Sequence, residues 1–399
     1  MRSFAKFLED FCFIRLFSLD EYGKFGYNNI VISIIYHFRG VSMSNKPIQN
    51  SERIHNAFIG FRRENLLSCF AALCQTNGMT RAELALATGL SIMTTGKIAD
   101  AMTEAGILTE QKLPAPGAGR RPGTLHFQTT PMFLVLNLSS RRFRAILLSP
   151  DMSFTEVCVH DYNDIFPFDD NLLIFLNAVR RSCDTSEDAI PYLAVITSPE
   201  DDKRQSITRT LSVSPRSTEH MLHIVCKILR RECNLVIDEI MAAQEYFHSL
   251  STYQNAECGV FISLSDMMYA AVWMRGNLLS PRICRIGELL LPRQQRIADA
   301  LADALCTEES ILPTAYAIST LESFFTPDLV ILESTRFRLD QEFLEGVYRD
   351  MRPLLPANSR IIDLELSPAK PSAAVCGCAC ELRRKWFFDV SGLNNQSCE

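Results

Sequence analysis

The sequence contains no apolar run long enough to cross a membrane. Residues 30–36 (IVISIIY) form a nearly continuous apolar stretch, but seven residues fall far short of the ~20 that a spanning helix requires, so no membrane partner is expected. A marked excess of basic charge is also missing. The net charge of −6 excludes a protein coated in nucleic acid over its whole surface. No signal-peptide cleavage pattern is visible, and with 14 cysteines a reducing, cytoplasmic setting is expected. Most of the cysteines stand alone among apolar residues. Cys376, Cys378 and Cys380 form C-x-C-x-C, yet no second cluster or neighbouring histidine completes the four ligands that zinc takes. Close packing of a small-residue helix is the expected role of that segment. Neither a metal nor another cofactor is called for.

What is present is enough hydrophobic residue, 47% against 22% charged, to bury a sizeable core. At 399 residues the chain exceeds one ordinary domain. An N-terminal extension and leader is expected over 1–60, with the natural start at Met43, whose sequel SNKPIQNSERIHN is an ordinary polar leader. A small module over 61–128 and a larger body over 129–399 come after it. Residues 60–128 carry seven Lys or Arg against five Asp or Glu, so a mildly basic module sits on an acidic body. That distribution fits a DNA reader joined to a regulatory domain.

The module has the more explicit signals. Leu66, Leu67, Phe70, Leu73 and Cys74 recur at helical spacing, and Gly78 ends that helix. Thr80-Arg81-Ala82-Glu83 is a capping box opening a short second helix. Gly89-Leu90-Ser91 supplies a tight turn, with Leu90 plugging the core and Ser91 capping a third helix over 92–104. Ile98, Ala101 and Met102 of that helix face inward. A plain helical hairpin would share this much. Residues 108–128 distinguish the two: a strand over 108–113, a PAPGAG turn and a returning strand over 124–128. A hairpin directly after the third helix is the wing of a winged helix-turn-helix. The Arg120-Arg121 pair sits beside its glycine-rich tip, where two guanidinium groups can enter a minor groove or grip phosphates.

TRAELALATGLSIMTTGKIADAMTEAGILTE followed by GAGRRPGTLHF resembles the amino-terminal domain of ROK-family regulators (repressor, open reading frame, kinase). Those carry a similar SRAELA-x-x-TGLS opening and a GRRP wing. The resemblance implies an operator of double-stranded DNA as partner. It implies contacts from Thr80, Arg81, Ser91, Ile92, Met93, Thr94, Gly96 and Lys97, and from Arg120 and Arg121 of the wing. Lys97 stands where family members often have Arg, and Gly96 where they have Ser, so few groups remain for bidentate base contacts.

The same resemblance implies an α/β chain in which the winged helix-turn-helix precedes a two-lobed, actin-like, sugar-kinase-like (ribonuclease H-like) body, here shortened. Residues 132–148 resemble the family's phosphate-loop hairpin, with Asn137, Ser139 and Arg141 in place of Asp-x-Gly-x-Thr. NLVIDEIMAAQEYF resembles the V-x-V-E-N-D-A-N-A-A segment, and its base falls on Ile240, which cannot take a proton. Residues 258–292 are similar to the glycine-rich hairpin and the later G-E-I-G-H, with Ser265, Met267, Tyr269 and Ala271 for glycines and Leu291 for the histidine. Glu288 is retained and by resemblance contacts a sugar hydroxyl. The expectation is therefore a regulator, in the repressor class, that is not an enzyme. It is expected to be a homodimer or higher homo-oligomer with a sugar or sugar-phosphate effector. An active carbohydrate kinase and a DNA-linked protein scaffold are the alternatives.

Overall fold

The computed structural model describes residues 58–391, apart from Ile59, Asn77, 112–122, 140–141, 199–217, 251–255, 265–267, 276, 280–285, Arg293, Thr335, 357–358 and 360–361. Three helices open it: α1 (Arg63–Gln75), α2 (Arg81–Thr88) and α3 (Ile92–Glu104). Local chemistry sets their ends. The Thr80 hydroxyl accepts from the Glu83 amide at 3.2 Å while the Thr80 amide donates to the Glu83 carboxylate at 2.8 Å, so α2 starts on a reciprocal cap. Gly89 closes α2 at φ 68°, a left-handed turn that a β-carbon would disfavour. The Ser91 hydroxyl then accepts from the Thr94 amide at 3.1 Å and starts α3. Short strands β1 (Met79–Thr80), β2 (Leu108–Gln111) and β3 (Thr124–Phe127) form an antiparallel sheet in the order β1-β3-β2. The expected hairpin strands are present, and β1 adds a third that no sequence pattern marks.

Two five-stranded sheets make up the body. The first joins β4 (Phe133–Asn137), β5 (Arg142–Leu148), β6 (Phe154–Asp161), β7 (Tyr192–Thr197) and β8 (Leu235–Asp238) in the order β6-β5-β4-β7-β8. The second joins β9 (Cys258–Ser263), β10 (Tyr269–Met274), β11 (Asn277–Leu279), β12 (Leu329–Glu333) and β13 (Asp363–Leu366) in the order β11-β10-β9-β12-β13. Each sheet is an antiparallel meander of three strands extended by two parallel ones. Parallel pairing requires crossovers, and helices supply them: α4 (Phe168–Ser182) between β6 and β7, and α5 (Thr218–Leu229) between β7 and β8. On the outer face of the first sheet, Leu172, Phe175 and Val179 of α4 and Val225 and Leu229 of α5 cover Leu134, Leu136 and Leu193. In the second lobe α7 (Ile297–Asp303), α8 (Ile311–Phe325) and α9 (Gln341–Met351) bury Ile318, Phe343 and Val347 against Val260, Ile262 and Val330.

The inner faces are covered by α6 (Glu239–Ser249) and the last helix, α10 (Ala373–Ser391). Ile240, Ala243 and Phe247 of α6 pack on Phe261, Trp273 and Ile331 of the second sheet. Helix α10 packs on Phe133, Val135, Tyr192 and Ala194 of the first. The two helices touch at Gly377, where a β-carbon would overlap the Ala242 carbonyl oxygen. Close approach is thus the role of the C-x-C-x-C segment, whose Cys376 and Cys378 are buried. The core of the amino-terminal module does not close on itself. Phe70 stacks on Phe387 of α10 at 4.2 Å, Phe58 meets the same ring edge-on at 6.4 Å, and the Arg383 guanidinium lies 4.7 Å over the Phe127 ring. Module, first sheet and α10 therefore share one hydrophobic cluster. Among the described residues, no helix is long and apolar enough to cross a membrane.

Candidate functional site

Helix α3 buries Thr95, Ile98, Ala99, Ala101 and Met102, which fixes its opposite face outward. On that face Ile92 is 67% and Met93 73% exposed. Lys97 is exposed, and Thr94 and Gly96 are half-exposed. Other large apolar side chains are as exposed elsewhere, Leu86 and Leu305 among them, so what sets this face apart is that Ile92 and Met93 are adjacent to each other and one turn from Lys97. Thr80, Arg81 and Ser91, also singled out in the sequence, hold this face in place. The Thr80 and Ser91 hydroxyls are engaged as caps. Arg81 is half-buried, and its guanidinium donates to the Gly96 carbonyl at 3.1 Å, Asp100 at 2.7 Å and Glu110 at 3.2 Å. It ties α2 to α3 and to β2. Arg120 and Arg121 lie outside the described residues.

A second group of polar side chains gathers where strand ends meet helix starts in the body. Asp238 ends β8 and accepts from the Ile240 and Met241 amides at 3.0 and 2.9 Å. Burial raises its pKa, and those two hydrogen bonds oppose the rise. Buried Glu239 accepts from the Ser263 hydroxyl, at the end of β9, at 3.3 Å. Glu333 ends β12 and accepts from the Ala373 amide, at the start of α10, at 2.8 Å. Burial pushes the Glu333 carboxyl up to about 7, and the neighbouring Glu239 charge adds to that rise. Ile240 points elsewhere, into the apolar cluster around Phe261 and Trp273. The Asn137 side-chain oxygen accepts from the Ser139 amide at 3.1 Å and from its hydroxyl at 2.7 Å, which closes the turn after β4. Glu288 sits apart from these acids in a short turn, paired with Arg296 at 3.3 Å. The sequence signal for Glu239 and Glu333 was an acid directly after an apolar strand. Their convergence depends on pairing β9 with β12, which lie 65 or more residues apart.

No protein-family model matches the chain, and no curated protein matches it. Solved structures do. A ROK-family transcriptional regulator, a homolog of the E. coli MLC protein, superposes with a TM-score of 0.53 and 14% identity, covering 83% of this chain and 98% of that one. This chain has the ROK fold. A ROK hexokinase from Thermus thermophilus (TM-score 0.40, 14% identity) covers 64% of this chain and 99% of its own. A ROK glucokinase from Streptomyces griseus, in complex with glucose and AMPPNP (TM-score 0.45, 12% identity), covers 64% and 100%. The mixed α/β body, with its two sheets of like topology, shares the fold of the body of that ROK regulator.

One expectation is corrected by these neighbours. The substituted motif positions predict a chain that is not an enzyme, with an active carbohydrate kinase as the alternative, but ROK sugar kinases predominate among the structures the chain resembles. The physical reason lies in the fold. Ile240 occupies the position read as the family's base, yet other carboxylates, Asp238, Glu239 and Glu333, are brought together by strand pairing. Substitutions at the family's motif positions do not by themselves establish a lack of activity.

Proposed function

We propose that the chain is a DNA-binding transcription regulator of the ROK type, acting as a repressor. In this reading α1, α2 and α3 with the β2–β3 hairpin are a winged helix-turn-helix, and α3 enters the major groove. The observation that carries it is the outward face of α3: Ile92, Met93 and Lys97 project together, on a helix held by two caps and by the Arg81 strut. The wing, with Arg120 and Arg121, contacts phosphate or the minor groove beside it. Coverage of the ROK regulator supports the assignment, since 83% of this chain is a larger share than residues 129–399 make up.

The body is the regulatory part. Asp238, Glu239 and Ser263 offer hydrogen-bond acceptors and a hydroxyl suited to a polyol, so a sugar or sugar-phosphate is the proposed effector class. ROK proteins have been solved with sucrose and with glucose. A homodimer places two α3 helices on half-sites one helical turn, or a multiple of it, apart. Footprinting on genomic fragments tests the assignment. The wild-type chain protects discrete sites, and Met93→Ala with Lys97→Ala abolishes or re-targets protection while the thermal midpoint is retained. Equal protection by the variant overturns the role given to α3.

A further inference from the structure

Helix α5 is followed by Arg230, whose φ of 57° turns the chain back on itself. The return brings the Sγ atoms of Cys226 and Cys233 to 3.9 Å. Strong contacts pin this turn. The Arg231 amide donates to the Cys226 carbonyl at 3.2 Å, and the Arg231 guanidinium donates to the carbonyls of Thr185, Ile190 and Pro191. Asn234 is paired with Leu193 in both directions, its amide donating at 2.8 Å and its side-chain oxygen accepting at 2.7 Å. The two sulfurs are therefore held as neighbours by the backbone on either side. Both residues are half-buried, and Cys233 packs at the margin of the first-lobe core.

We propose that Cys226 and Cys233 are a dithiol modification site, oxidised by a hydroperoxide to an intramolecular disulfide. The Cys226 thiolate attacks one peroxide oxygen. The O–O bond breaks, and the departing hydroxide takes up a proton to leave as water, which gives a sulfenic acid on Cys226. The Cys233 sulfur then attacks Cys226 Sγ, and the S–O bond breaks. Its hydroxyl departs as water with the proton from Cys233. Two thiols are oxidised and one hydrogen peroxide is reduced to two waters. The division of labour comes from the pair's own contact. Contact with the Cys233 sulfur brings the Cys226 thiol down to about 7, with the Arg231 charge helping, while the same contact and burial push Cys233 up. Cys226 is the nucleophile and Cys233 the resolving thiol. Elsewhere burial raises the thiols: Cys69 and Cys74 to about 11 and Cys376 to about 12. Closing the bond moves the sulfurs together by about 2 Å, a displacement within the reach of rotamer change at the two cysteines.

Peptide mapping of the full chain tests this directly. Lys227, Arg230 and Arg231 lie between the two cysteines, so trypsin separates them and a disulfide joins two peptides. After hydrogen peroxide, the linked pair appears, lighter by the mass of two hydrogens, and dithiothreitol releases it. At neutral pH Cys226 loses its alkylation roughly tenfold faster than exposed Cys306. In Cys233→Ser, dimedone traps a sulfenic acid on Cys226. Undiminished alkylation of Cys226 and Cys233 after peroxide, or a Cys226 bridge to any other cysteine, overturns the proposal. The wild-type map stands even if the serine variant fails to fold.

Discussion

At the residue scale, Glu333 shows how a single buried acid links pH to stability. Its folded-state pKa lies above the usual 4.5, at about 7. The neutral carboxyl is what the fold accommodates. Its favourable contribution is fully present below about pH 4.5 and is lost as pH rises to about 7. Holding the ionised form costs on the order of 3 kcal/mol. Glu333→Gln keeps an acceptor for the Ala373 amide and removes the charge, so urea midpoints of the variant exceed wild type above pH 7 and converge with it near pH 5. A wild-type midpoint that rises with pH across that window contradicts the assignment. Thr80→Ala removes the hydroxyl that caps α2, with an expected loss of ~1 kcal/mol by urea denaturation. The cap was legible because its partners are three residues apart. Arg81 was legible as a residue of interest, but its three acceptors, Gly96, Asp100 and Glu110, come from other elements, and no sequence spacing marks them.

At the element scale, the helices and turns of the module could be read from the sequence because each boundary is set by adjacent residues: the Thr80–Glu83 box, Gly89 and Ser91. Strand β1 could not, since its two residues are strand only by pairing with Leu125 and Thr124. The α6–α10 contact is intermediate. Small residues in 373–379 suggest close packing, but the partner, Ala242, is visible only once the last helix returns to the first lobe. Gly377→Ala forces that crossing apart. Overpacking of this kind costs roughly 1–3 kcal/mol, and calorimetry should show a lowered midpoint, with Ala379→Gly costing less. A Gly377→Ala chain as stable as wild type would mean that the helices do not cross at that glycine.

At the scale of the whole molecule, the module and the body are physically one. Phe70 stacked on Phe387, and Arg383 over Phe127, carry the core from the three helices into α10, and α10 rests on α6, which starts at Asp238 and Glu239. The sequence marked a boundary near residue 128, because the returning strand of the hairpin and the mildly basic stretch both end there. The shared core was not legible, since its members lie some 300 residues apart. Phe387→Ala leaves a cavity costing ~3–5 kcal/mol. Wild type is expected to unfold in one transition and the variant in two, with the module first. Two transitions in wild type would show that the shared cluster does not couple them.

The central claim, that this ROK-fold chain reads DNA through α3, is tested most directly by selecting from random double-stranded DNA with the full-length protein across a salt series. The expected outcome is enrichment of a two-fold symmetric site with half-sites about one helical turn apart, and affinity that falls steeply with salt as phosphate contacts release counterions. Arg120→Ala with Arg121→Ala should flatten that salt dependence and keep the preferred sequence, whereas Lys97→Ala should change the sequence. Failure to enrich any site even at low salt, by a protein shown to be folded, would contradict the account.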